Sequence, residues 1–222
     1  ADSAEFAAAE IGRGAVTATA TAWVAAVDFA LGRADCGFAH WTGQLLASSP
    51  ASGDLAGGFD GSEFRSLADA AGPVASAHAA VYGLAVSGLL GWRPASTGQP
   101  ATLAPALPGG LDCVTFTGLT APTGDAGAAL LSGSVQRQSD GALIIELRRS
   151  NDGDQPVTVE LAPAFAWPCV VQSVTIEGAV VDHDVEPLLE AARVRSRVTL
   201  TESVTVRFAV QEDLLVRLRA VP

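Results

Sequence analysis

Apolar positions recur with a helical period in the first part of the chain and with a period of two in the rest. Val16, Trp23, Val24, Val27 and Leu31 fall near helical spacing, which predicts a helix over 15–31 that stops at Gly32. Asp35 is placed to cap a second helix over 36–47, with Phe38, Trp41, Leu45 and Leu46 as its apolar stripe and Pro50 beyond it. Residues 48–72 carry too many Gly and Ser for a stable helix and read as a long loop, a type of segment that often carries function. Pro73 suits a helical first turn, and a third helix runs from there to about Leu90, ended by Gly91 and Pro94. Its small residues, among them Ala79, Ala80, Gly83, Ser87 and Gly88, allow another helix to come close.

Beyond residue 101 the period changes. Strands are predicted over 101–104, 113–119, 127–137, 142–150, 156–161, 173–177, 193–200, 203–209 and 213–220. Val204, Val206 and Phe208 alternate with Thr205 and Arg207, and 194–200 alternates in the same way. Asp-Gly signals at 140–141 and 152–153 mark turns. Short strands with such turns and no long helix between them predict an antiparallel β-sandwich. The expected fold class is therefore α+β: an α-helical segment over 1–105 followed by an antiparallel β-sandwich over 106–222.

Composition narrows the function classes. The 222 residues are 49% hydrophobic, enough for a substantial core. The formal net charge is −11, and every basic residue is Arg. The acidity is spread, with nine acids and four Arg up to residue 105 and fifteen acids and nine Arg after it. A chain of this charge without a basic stripe is a poor partner for nucleic acid or for anionic lipid. No apolar run is long enough to span a bilayer, and the start of the sequence carries no cationic leader. Cys36, Cys113 and Cys169 are widely spaced, odd in number and without metal-finger spacing; they read as free, buried thiols. The compartment stays open, with the cytoplasm favoured.

The seam between the two parts contains Pro73, His78-Ala79, Leu89-Leu90-Gly91-Trp92-Arg93-Pro94 and Leu103-Ala-Pro105-Ala-Leu107-Pro108-Gly109. In that order these residues resemble the C-terminal end of the six-hairpin glycoside hydrolases. Those are the (α/α)6-toroid enzymes that include glycogen-debranching-like amylo-α-1,6-glucosidases and α-L-rhamnosidase-like proteins. The resemblance implies that the helical segment is the last hairpins of a toroid, and that the chain is the C-terminal portion of a carbohydrate-active enzyme. Such an enzyme cleaves glycosidic bonds with a carboxylate acid/base pair, one member of which would lie outside this chain. It implies Glu63 as the surviving general base, with Asp60 as runner-up, in Phe59-Asp-Gly-Ser-Glu63. It also implies His78 as a contact to sugar hydroxyls.

Each of these residues has a plainer reading: solvated turn carboxylates for Asp60 and Glu63, and a packing histidine for His78. Trp41 and Tyr82 offer faces on which a sugar can stack, although aromatic residues at helical spacing are more often core. The expected partners are an oligosaccharide or polysaccharide, and either the missing N-terminal part of the same enzyme or another subunit. No cofactor is expected. No metal is expected either: Asp182-His183-Asp184 cannot converge on one ion from a regular strand, and Asn151-Asp-Gly-Asp154 lacks the distal ligand of a calcium loop. The alternative function is a non-catalytic carbohydrate-binding or protein-interaction and assembly module.

Overall fold

The computed structural model describes residues 16–46, 58–59, 83–123, 127–167 and 169–212. They fall into two compact units. One holds the described residues of 16–30, 34–46, 58–59 and 83–89. The other holds 31–33 and 90–212.

In the first unit a two-residue strand, β1 (Val16–Thr17), pairs antiparallel with β2 (Gly58–Phe59). Helix α1 spans Ala18–Ala30 and helix α2 spans Ala34–Leu46. A π-helical turn follows at Ala85–Leu89. The apolar stripe of α1 is not the one its spacing predicts. Trp23 is 71% exposed, and Val24 and Val27 are exposed as well. The buried side carries Ala22, Ala25 and Phe29 instead. Small side chains win this face because they permit close approach. The Phe29 ring lies so near Gly37 and Gly88 that a β-carbon at either would stand 2.9 or 2.7 Å from it. Ala22 and Ala25 form a small cluster with Leu84, with Ala26 and Trp41 packed against it.

The second unit contains two larger sheets. The first runs in the order β11 (Ala179–Val181), β10 (Cys169–Ile176), β14 (Ser203–Glu212), β7 (Leu143–Arg149), β6 (Gly127–Arg137) and β5 (Cys113–Thr123), antiparallel throughout. The second runs β12 (Asp184–Pro187), β13 (Ala191–Leu200), β8 (Val157–Leu161), β4 (Ala101–Leu103) and β3 (Trp92–Arg93), with β9 (Ala164–Ala166) also on β13. The sheets face each other across a core that the alternating pattern dictates. Leu131, Val135, Ile145, Leu147, Val174, Val206 and Phe208 enter it from the first sheet. Leu103, Val157, Val159, Leu161, Val194 and Val198 enter from the second. The Phe165 and Phe208 rings meet across the gap at 6.2 Å. Fully burying a side chain of this size is worth about 1.5–3 kcal/mol.

The expected fold class is corrected by these elements. The described residues are mostly strand, with two helices of 13 residues and one π-turn, and no segment of an (α/α)6 toroid is evident among them. Within 1–105 the strand predicted over 101–104 is present as Ala101–Leu103, and it pairs with Trp92–Arg93. The sheet pairing is not antiparallel throughout, because β4 runs parallel to β8. The chain leaves β4, builds β5, β6 and β7 in the opposite sheet, and returns as β8 beside β4 in the same direction. A hairpin cannot make such a connection, and a crossover is what a parallel pair requires.

Of the seam residues cited for the family resemblance, those from Gly91 to Leu107 are bonded within this unit, while Pro73, His78 and Ala79 lie outside the described residues. Trp92 registers with Leu103, and the Ala104 N–H donates to the Gly91 carbonyl at 3.3 Å. Leu103 and Pro105 offer their carbonyls to Ala162 and Ala164. The Arg137 guanidinium donates to the Leu107 carbonyl at 2.7 Å.

Candidate functional site

The strand β7 ends in Arg148-Arg149, and its turn to β8 lies beside the Thr201-Glu202 turn between β13 and β14. Between the two turns lies a solvent-open cleft of about 690 Å³. It is lined by Arg148, Arg149, Asn151, Asp152, Gly153, Asp154, Thr201, Glu202 and Ser203. No aromatic ring takes part.

Local hydrogen bonds fix the walls. The Arg149 N–H donates to the Glu202 carbonyl at 2.7 Å, tying the turns together. Arg149 registers with Leu131, whose side chain is fully buried, so its stem enters at the end of the inward-facing row. Its guanidinium donates to the Gln155 carbonyl at 2.7 Å and the Asp152 carbonyl at 3.4 Å. The loop closes over this guanidinium at Gly153, which has φ +149 and no room for a side chain. A β-carbon there would lie 2.1 Å from an Arg149 nitrogen. The Asn151 amide bridges back to β6: its oxygen accepts from the Leu130 N–H at 2.8 Å, and its nitrogen donates to the Ala128 carbonyl at 3.0 Å. Asn151 and Arg149 are thus spent on holding the loop. Arg148, Asp152, Asp154, Thr201, Glu202 and Ser203 are exposed and keep their side chains toward solvent.

A second charged constellation lies on the outer face of the β12–β13–β8 sheet. The Arg195 guanidinium donates to Glu160 and Glu186, each at 2.7 Å. Arg193 also approaches Glu186, at 3.7 Å. The hydrogen bond from Arg195 holds the Glu186 carboxyl below its ordinary range, and burial works against it. Burial lowers the Arg193 guanidinium, assisted by repulsion from Arg93 and Arg195 and opposed by Glu186. These charges satisfy one another across adjacent strands, which makes the network a structural feature of the sheet.

The residues singled out from the sequence do not converge. Glu63, Asp60, His78 and Tyr82 lie outside the described residues. Trp41 is half-buried, with its ring against the α1 cluster and 5.7 Å from that of Phe38. Asp182 and His183 connect β11 to β12, and Asp184 opens β12 opposite Arg195. Phe116 and Phe208 are buried, Phe165 is half-buried, and Trp167 is 47% exposed, so these rings form no shared platform. The thiols of Cys36 and Cys113 are exposed rather than buried, and Cys169 is half-buried. The cleft itself was legible only as a turn at 151–154. Its other wall lies some fifty positions further along, and the pairings of β7 with β14 and of β8 with β13 join them.

Comparison with protein-family models, with curated proteins and with solved structures gives no match.

Proposed function

We propose that the chain is a non-catalytic carbohydrate-binding module, with a neutral sugar held in the cleft between the β7–β8 and β13–β14 turns. The observation that carries this reading is the lining of the cleft. Sugar hydroxyls both donate and accept, so a matching site mixes both kinds of group. Asp152, Asp154 and Glu202 accept, Arg148 donates, and Thr201 and Ser203 do either. Two Arg against three carboxylates leave the lining close to neutral, which suits an uncharged ligand better than a phosphate or a polycation. The volume lies within the range of about 300–1,000 Å³ usual for small-molecule sites. Arg149 and Asn151 hold the loop before any ligand arrives, which lowers the ordering cost of binding.

Binding of the purified chain to an array of neutral glycans tests the proposal. For any glycan retained, the E202Q and R148A variants should bind about tenfold or more weakly, since a hydrogen bond to a charged group contributes about 1.5–3 kcal/mol. Retention that both variants leave unchanged contradicts it.

A second reading, the terminal portion of a carbohydrate-cleaving glycoside hydrolase, has one observation in its favour. The two halves of the seam motif, at Gly91-Trp92 and Leu103-Ala104, are bonded to each other as one unit of structure. Hydrolysis of a glycosidic substrate by the native protein, lost in E63Q, supports this reading. A native protein that releases no sugar from any glycan it binds removes it.

A further inference from the structure

Two residues of the cleft lining stand on the outer face of the first sheet, so the cleft opens onto that face. Burial alternates along β7: Leu143, Ile145 and Leu147 are buried, while Glu146 and Arg148 are exposed. Along β14, Val204 and Val206 are buried, while Ser203 and Thr205 are exposed. The register sets Ser203 opposite Arg148 and Thr205 opposite Glu146. Residues directly opposite on adjacent strands project to one face, so these four side chains form a single array. Ser203 and Arg148 line the cleft, and Thr205 and Glu146 continue the array beyond it.

Backbone direction brings the two sides of the array close. The Arg149 N–H donates to the Glu202 carbonyl, which makes 149 and 202 a hydrogen-bonded pair. Such pairs alternate with non-hydrogen-bonded ones along an antiparallel ladder. Ser203–Arg148 and Thr205–Glu146 are therefore of the second kind. Thr205 agrees, because its backbone groups turn away from β7: its N–H donates to the Glu177 carboxylate, and its carbonyl accepts from the Glu177 N–H. The Cα atoms of such a pair stand about 4.5 Å apart, and two positions along a strand add about 6.5–7 Å.

The charges of the array are free. Among the described residues, no hydrogen bond or ion pair engages the Arg148 guanidinium or the Glu146 carboxylate. By contrast Arg207, the next outward cation of this sheet, is held by Asp140. Arg148 and Glu146 share one face of one strand, two positions apart, and form no ion pair with each other. A hydroxylated ring between them accepts from the guanidinium and donates to the carboxylate, while the Ser203 and Thr205 hydroxyls serve in either role.

Resting on the carbohydrate reading of the cleft, we propose that its ligand is an oligosaccharide of at least two residues, with one ring in the cleft and the next on this array between Arg148 and Glu146. Continuity selects the occupant. A ring linked to one held in the cleft enters the array at Ser203 and Arg148, which belong to both. One cation and one carboxylate cancel, which suits a neutral ring.

The test compares monomer and dimer of the same neutral sugar: glucose with cellobiose, mannose with mannobiose, and xylose with xylobiose. Dissociation constants are measured by calorimetric titration of the full chain, for wild type, E146A, T205V and E202Q. For a sugar that binds, the wild type should hold the dimer about tenfold or more tighter than the monomer, the factor that one hydrogen bond to a charged group supplies. E146A should bring that ratio near one. T205V removes a hydroxyl at constant volume and should lower the ratio several-fold, with the fold undisturbed. E202Q should weaken monomer and dimer alike and keep the ratio. A wild-type ratio near one overturns the second subsite and leaves the cleft reading standing. So does a ratio that E146A leaves intact. A chain that binds none of the six sugars removes the cleft reading, and the second subsite with it.

Discussion

Gly91 and Ala104 touch backbone to backbone: a β-carbon on Gly91 would stand 2.1 Å from the Ala104 carbonyl oxygen. Gly91 also has φ +59, a conformation that disfavours any L side chain. The contact closes the β3–β4 hairpin, which holds one edge of the second sheet against β8. G91A should therefore destabilise the protein by more than the roughly 1–3 kcal/mol of backbone strain alone. G110A, where a β-carbon meets nothing within 4 Å, should stay within about 0.5 kcal/mol of wild type. Urea unfolding of both variants checks the pair.

Arg149 should behave as the pin of the cleft rather than as a ligand-binding group. R149A removes the donors to the Asp152 and Gln155 carbonyls. Amide exchange and proteolysis in 151–155 should then accelerate at least tenfold, with a stability loss of about 1–3 kcal/mol. R149K should restore little, because an ammonium cannot reproduce the planar fork.

The outer-face network should contribute to acid sensitivity. The folded-state pKa of Glu186 lies below its ordinary value of 4.5, chiefly through the hydrogen bond from Arg195. The stabilisation from this depressed carboxyl is present above 4.5 and is lost as pH falls through the lower folded-state value. E186Q should therefore flatten the acid limb of the stability–pH curve and leave the slope between pH 6 and 8 unchanged. Asp140 has the same sign, through the Ala142 N–H first and Arg207 second, so D140N should flatten the limb further. Thermal melts from pH 2.5 to 8 check both.

Thiol chemistry should separate the cysteines. Burial raises the Cys169 thiol above its ordinary 9.0, and its Sγ lies 3.6 Å from the Phe165 carbonyl oxygen. Cys36 and Cys113 are exposed. Alkylation at pH 8 should modify these two readily and Cys169 at least several-fold more slowly, as mass spectrometry of the digested chain will report.

The sequence reads well where one face of a strand is buried. The alternation through Val194, Val198 and Leu200, and through Val204, Val206 and Phe208, places β13 and β14 because a slip of one residue would turn every apolar side chain outward. The short edge strands β3, β9, β11 and β12 escape such reading, since two to four residues carry too little periodicity. The face of α1 misleads for another reason. Spacing and bulk favour Trp23, Val24 and Val27, while the buried face carries Ala22 and Ala25 against Leu84, and Phe29 close to Gly37 and Gly88. The cleft is hidden because Asp152 and Glu202 are brought together by sheet pairing, which local composition does not encode. The glycoside-hydrolase seam is legible as punctuation, with Gly91 and Pro94 marking a turn into strands. It carries no information about a helical toroid.

The most direct test of the carbohydrate-binding account is an amide-resolved nuclear magnetic resonance titration of the isotopically labelled chain with neutral oligosaccharides. The account predicts shifts centred on 148–154 and 201–203, saturating with one affinity and abolished in E202Q. Saturable shifts centred elsewhere, or none with any neutral oligosaccharide at millimolar concentration, contradict it.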